Sequence, residues 1–276
     1  MDKDRQIQKG GVVMDTIGYL GIVYLLVLVI PTLVVNHQLG IKMNKRIIIS
    51  VIRMIIQLGL VGIYLQYIFE LNNIFLNVGY MLLMMLIAAV SITKTLGLRF
   101  KRVYLPIAAS IIIPNVLMVF FFNTLVIGLD NILEARYIIT IGGMLLGNVL
   151  SGDIVGLTTF YKGISANKKR VNYDLALGAT RFQAIKPYLT DGIQAAIKPT
   201  VASMATIGLV ALPGMMTGQI LGGSVPLEAI MYQIAIMLAI YVTRYVNIFL
   251  AIALSQKTMF DKKDQLCRRF NTVFCC

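Results

Sequence analysis

The sequence predicts an all-α polytopic integral membrane protein with about seven transmembrane helices, and three observations predict it. Of 276 residues, 58% are hydrophobic and 13% charged, with a mean hydropathy of +0.81, well away from the roughly half-apolar, quarter-charged soluble domain. Seven apolar stretches reach the ~20 residues that a helix needs to cross ~30 Å of hydrocarbon. Lys and Arg also concentrate in alternate connections, as they do when one side of the chain is retained in the cytoplasm.

In order, the stretches are 16–35, 47–69, 74–92, 103–127, 137–161, 199–222 and 230–254. The first is longer than the ~7–15 residues of a signal-peptide core. Asn36-His37-Gln38 follows it in place of a small-residue cleavage pattern, so it is expected to be a retained and peripheral helix. The next three connections that collect charge hold Lys42, Lys45 and Arg46, then Lys94, Arg99, Lys101 and Arg102, then seven basic residues from Lys162 to Lys198. The tail adds five from Lys257 onward, whereas the opposite side holds only Lys3, Arg5, Lys9 and Arg136. This alternation puts the N-terminus outside and the C-terminus inside. The expected organisation is a single transmembrane domain over 1–256, containing a cytoplasmic loop at 162–198, and a basic cytoplasmic tail at 257–276. The membrane expected is a cell membrane, the bacterial plasma membrane.

Orientation therefore accounts for the net charge of +13. Basic clusters serve as positive-inside anchors attracted to anionic lipid, and nucleic acid is not an expected partner. One His and three Cys, two of them terminal, leave no His/Cys metal cage in the body of the chain. On the reducing side, Cys267, Cys275 and Cys276 are not expected to form structural disulfides.

The loop 162–198 is too long for a simple connection. Within it Leu175, Ala179, Phe182 and Ile185 form one apolar stripe at helical spacing, so an amphipathic helix is expected, bent at Gly178 between two short segments. A helix resting on the membrane surface is the plainer account. The order Asp174, Ala176, Gly178, Ala179, Arg181, Phe182 nevertheless resembles the EAA-type coupling loop of ABC-transporter permeases, although Leu175 departs from the usual small residue. That resemblance implies a helix over 174–187 docking into a groove of a separate ATPase subunit. No Gly-x-x-x-x-Gly-Lys-Ser/Thr phosphate loop occurs. ATP and Mg are thus expected on the partner, and no cofactor on this chain.

Three further segments resemble the FetB-type family of ABC permeases, linked to iron export, whose plant relatives are associated with aluminium tolerance. They are Arg53-Met54-Ile55-Ile56-Gln57-Leu58 with Gln66-Tyr67-Ile68-Phe69; Gly143-Met144-Leu145-Leu146-Gly147-Asn148; and Ile197-Lys198-Pro199-Thr200 through Leu212-Pro213-Gly214-Met215-Met216-Thr217-Gly218. The likeness spans about 45–250. It implies a permease that works as two halves, here two copies, and carries a metal cation.

Residues out of place in hydrocarbon are the remaining site candidates. Pro213-Gly214 should break the sixth span, freeing carbonyls near Leu212 and Pro213 that can meet a cation. The thioethers of Met215 and Met216 suit a soft or borderline metal; equally, Met is an adaptable filler around a packing kink. Asp153 is the only carboxylate well inside a span, at a cost of ~2.5–3.5 kcal/mol at a helix centre. Two readings stand: an ion pair with Arg53 or Arg244, or a polar wall of the translocation path. Gln57, Asn115, Asn148 and Gln219 are further path candidates, each also able to serve as an interhelical hydrogen bond. The pairs Gly143/Gly147, Gly152/Gly156 and Gly218/Gly222 have the spacing that lets helices approach closely.

The reading that follows is an ABC permease exporting iron or a related cation, with no bond chemistry of its own. The rival is an ATP-independent secondary carrier using Asp153, for which an internal inverted repeat would speak; none is visible. An intramembrane enzyme finds no His pair, Gly-x-Ser-x-Gly or paired-aspartate motif.

Overall fold

A computed structural model describes residues 18–71, 73–97, 100–129 and 131–256. The basic tail and its three cysteines lie outside the described residues. So do Lys3, Arg5 and Lys9. The described chain is helical, with no strand among the described residues, and six of its helices are long and apolar enough to cross a membrane. The described residues divide into two compact units, one of 18–71 with Thr217–Pro226, the other of 73–216 with 227–256.

In the first unit, α1 (Tyr19–Val27) and α2 (Val29–Gln38) follow each other with only Leu28 between them, forming the expected first span. α3 (Asn44–Leu71) begins at Asn44, whose Nδ2 donates to the Leu33 carbonyl of α2 at 2.9 Å. Ile68 is the one described residue of α3 that is fully buried. Much of its exposed surface is isoleucine and leucine, among them Ile52, Ile56, Leu60 and Ile63, as lipid or another protein chain requires.

The second unit holds the core. Its helices are α4 (Ile74–Thr95), α5 (Phe100–Phe121) with a π-helical extension over Phe122–Ile127, α6 (Ala135–Ala166), α7 (Lys168–Ala176), α8 (Arg181–Thr206), the start of α9 (Gly214–Leu221) and α10 (Pro226–Ser255). α6 is the central rod, about 48 Å long at 1.5 Å per residue. Ile138, Ile141, Leu145, Val149, Gly152, Gly156, Phe160 and Ile164 recur on it every three or four positions and are all buried. Against α6 and α8 the backbone itself makes contact. A Cβ built on Gly156 would stand 2.9 Å from the Gly192 carbonyl oxygen of α8, and one on Gly192 would stand 3.0 Å from the Gly156 oxygen. The Gly152/Gly156 spacing thus marks a close approach, and Gly143 meets only the Met84 side chain at 3.2 Å. Gly147 and Gly218 have nothing within 4 Å of such a Cβ.

The connection after α5 is pinned by side chains. Asn123 Nδ2 donates to Ile132 O at 2.9 Å and Asn77 Nδ2 to Leu133 O at 3.1 Å, satisfying carbonyls that leave the helix ladder.

Two expectations change here. The loop at 162–198 is almost wholly helical, because α6 continues to Ala166, α7 follows, and α8 starts at Arg181. Polarity from Lys162 to Lys198 had marked it as lying outside hydrocarbon, but polarity does not end a helix. The stretch 199–222, expected as one span, is the end of α8, an irregular segment over 207–213, and α9. Gly208 at φ 84° turns the chain there, and Pro213, lacking an N–H, begins the restart.

Candidate functional site

The break over 207–213 and the polar residues of α6, α8 and α10 come together inside the second unit. The Gly208 N–H donates to Ala211 O at 3.0 Å, closing a tight turn. Leu209 and Val210 stand 89% and 82% exposed at its tip. Behind it lies a cavity of about 290 Å³, whose walls include Asn148, Thr200, Ser203, Pro213, Met237 and Arg244.

Arg244 dominates the polar wall. It is only 7% exposed, and its Nη1 donates to Thr200 Oγ1 at 2.6 Å. The Arg244 side chain packs against α6 at Gly152, where a Cβ would collide with its Nε. Only glycine permits this approach. Arg244 Nε has no hydrogen-bond partner.

Asp153, the next residue on α6, is fully buried. Its Oδ2 accepts from Asn247 Nδ2 of α10 and its Oδ1 has no partner. Of the two sequence readings, the carboxylate is thus bound to an amide, with the Arg244 guanidinium bonded elsewhere. Asn247 lies three positions after Arg244, so one face of α10 supplies both contacts.

The other path candidates are placed as follows. Asn148 lines the cavity while its Nδ2 donates to Met144 O in its own helix at 2.9 Å. Asn115 likewise bonds within its own helix, to Ile111 O at 2.7 Å. Pro213 is in the cavity wall. Met215 packs against the apolar core and Met216 is buried; neither borders the cavity. Among the described residues no group of three or more His, Cys, Asp or Glu gathers to hold a metal. In the first unit, Arg53 and Gln57 are exposed on α3, and Gln219 Oε1 is buried without a hydrogen-bond partner. Thr200 and Asn247 are the residues the sequence reading missed. The signal was available: Thr243, Arg244 and Asn247 form a polar patch in an otherwise apolar stretch.

A second feature is the elbow between α7 and α8. Gly178 has φ 91°, its N–H donates to Leu175 O at 3.1 Å, and the Ala179 N–H donates to Asp174 O at 3.0 Å. These two bonds are the Schellman closure of a helix, which places glycine at the left-handed position. α8 then opens with a capping box: Thr180 Oγ1 accepts from the Gln183 N–H, and Gln183 Oε1 from the Thr180 N–H. The bend expected at Gly178 is thus a sharp stop and restart. Asp174 and Ala179 border a hollow at this corner, Ala176 and Arg181 are exposed, and Tyr173, Leu177 and Phe182 present large apolar surfaces outward.

The family model described as "Uncharacterised protein family (UPF0014)" matches residues 19–260. The chain is 31% identical to the "UPF0014 membrane protein YjkA" of Bacillus subtilis, over 90% of this chain and 98% of that one. It is 31% identical to the "Probable iron export permease protein FetB" of Escherichia coli, over 87% and 92%. It is 30% identical to "Protein ALUMINUM SENSITIVE 3" of Arabidopsis thaliana, over 87% of each chain. No solved structure matches.

Proposed function

This chain belongs to the UPF0014 family, and from that premise we propose that it is the permease subunit of an ABC transporter, exporting iron or a related metal cation under the drive of a separate ATPase chain. That it is a multi-pass membrane protein rests on its six long apolar helices and its membrane-protein relatives. The observation that carries the proposal is the α7–α8 elbow. Its capped corner holds Leu177 at 70% and Phe182 at 52% exposure beside a hollow bordered by Asp174. An exposed apolar pair on rigid helix ends is suited to a groove in another protein. The Escherichia coli relative whose name reads "Probable iron export permease protein FetB" supports the cargo. A second copy of this chain completes the assembly in this reading, because the ABC permeases it resembles work as two halves.

The test is purification in mild detergent from the native membrane. An ATPase chain should co-purify in equal amount and be lost from the Gly178→Val variant, because a branched side chain is disfavoured at φ 91° and reshapes the corner. A folded protein that repeatedly purifies alone would overturn ATP coupling and turn attention to Asp153 as the ion site of a secondary carrier.

A further inference from the structure

The cavity behind the break has the wrong charge for a naked cation. Of the side chains in its wall, Arg244 alone is ionisable, and no carboxylate lines it. Asp153 is not in the wall, and its Oδ2 accepts from Asn247.

The wall offers donors around its one charge, with Ser203 Oγ and Asn148 Oδ1 as acceptors beside them. Thr200 Oγ1 accepts from Arg244 Nη1, which leaves its own O–H to donate. Asn148 uses one amide hydrogen on Met144 O and keeps a second. Ser203 donates to Pro199 O at 2.9 Å, so toward the cavity its oxygen can only accept. A buried guanidinium in the wall, with a hydroxyl and an amide beside it, matches the acceptor oxygens of a carboxylate or phosphate. The volume, 290 Å³, is that of about ten waters. A small polycarboxylate or a phosphate ester fits such a space.

We propose that this cavity is an oxyanion site, taking a ligand that bears carboxylate or phosphate groups. The metal then crosses as an anionic complex held by such oxygens, and the cation's own ligands travel with it. Arg244 is the charge that recognises the complex, Thr200 orients the guanidinium, and Gly152 admits it to the wall. This role in transport rests on the permease reading; the anion site itself does not.

The experiment is titration calorimetry of the full chain in lipid nanodiscs with three probes: citrate, inorganic phosphate, and Mn²⁺ in chelator-free buffer. One of the anions should bind saturably, and which one it is separates a carboxylate from a phosphate ligand. Binding should fall at least tenfold in Arg244→Gln and be partly retained in Arg244→Lys. Thr200→Val, which keeps shape and removes the hydroxyl, should weaken it several-fold and serves should Arg244→Gln fail to fold. The proposal is overturned if the folded wild type binds neither anion, if Thr200→Val binds like wild type, or if Mn²⁺ alone binds saturably and Thr200→Val weakens that binding. Absence of a co-purifying ATPase removes the permease reading and leaves this measurement standing. Absence of anion binding removes the oxyanion site and leaves ATPase docking standing.

Discussion

Gly156→Ala adds one carbon where α6, α8 and α10 meet, and its cost can be worked from three contacts. The new Cβ would stand 2.7 Å from Ile248 Cδ1, 2.9 Å from Ala196 Cβ and 2.9 Å from Gly192 O. The isoleucine tip can rotate away. The Ala196 methyl and the Gly192 backbone cannot, since both are fixed to the axis of α8. Carbon contacts settle near 3.5–4.0 Å, so the two helices must part by roughly 0.6–1 Å along a buried seam. Overpacking of this kind costs about 1–3 kcal/mol, and with two of the three obstacles immovable we expect about 2–3 kcal/mol. The control is Gly147→Ala, on the same helix with nothing within 4 Å of the added carbon. There the helix propensity of Ala should give a gain of about 0.5–1 kcal/mol. Thermal unfolding of both variants in one detergent, followed by size-exclusion chromatography, separates them. If Gly156→Ala melts at or above wild type, the backbone-to-backbone approach of α6 and α8 is wrong.

Other substitutions follow from the same geometry. Thr180→Ala removes the capping box and should cost about 1 kcal/mol, read as faster amide exchange over the first turn of α8 with little change in α6. Gly152→Ala puts a carbon where Arg244 lies and should abolish the contact with Thr200; anion binding should fall as is expected of Arg244→Gln, and wild-type binding would sink the assignment. Replacing Met215 and Met216 together by Leu, a volume-conserving change costing under about 1.5 kcal/mol per site, should leave metal export intact. Loss of export from a well-assembled double variant would return the thioethers to the path.

The spans were the most readable part of the sequence, because hydrocarbon imposes a length and polarity rule on each helix independently. The bend at Gly178 was also readable, since the left-handed cap position favours one residue type. The division at 207–213 was visible only in part. Pro213 announced a break, but Gly208, which turns the chain five residues earlier, resembles any other glycine until φ is known. The continuity of α6 into polar sequence was hidden for a related reason. Helix ends are set by caps, and between Lys162 and Ala166 none interrupts the ladder. Within the site, Asp153 and Arg244 were legible as costly residues, yet their partners were not. The sequence invites pairing the two charges. The fold instead gives Asp153 an amide from α10 and Arg244 a hydroxyl from α8, choices fixed by helix rotation.

α8 carries a mechanical consequence. One helix runs from the capped elbow to Thr200 in the cavity wall, about 28 Å away at 1.5 Å per residue. Gly192, at its mid-length, rests on Gly156, so if α8 moved as one rod its fulcrum would lie inside the core. The arm from Gly192 to Arg181 is about 16 Å and that to Thr200 about 12 Å. A displacement of 4 Å at the elbow would therefore swing Thr200 by roughly 3 Å the other way, enough to part its hydroxyl from the Arg244 guanidinium. Two glycines that look like packing devices would then set the gearing between one end of the helix and the other.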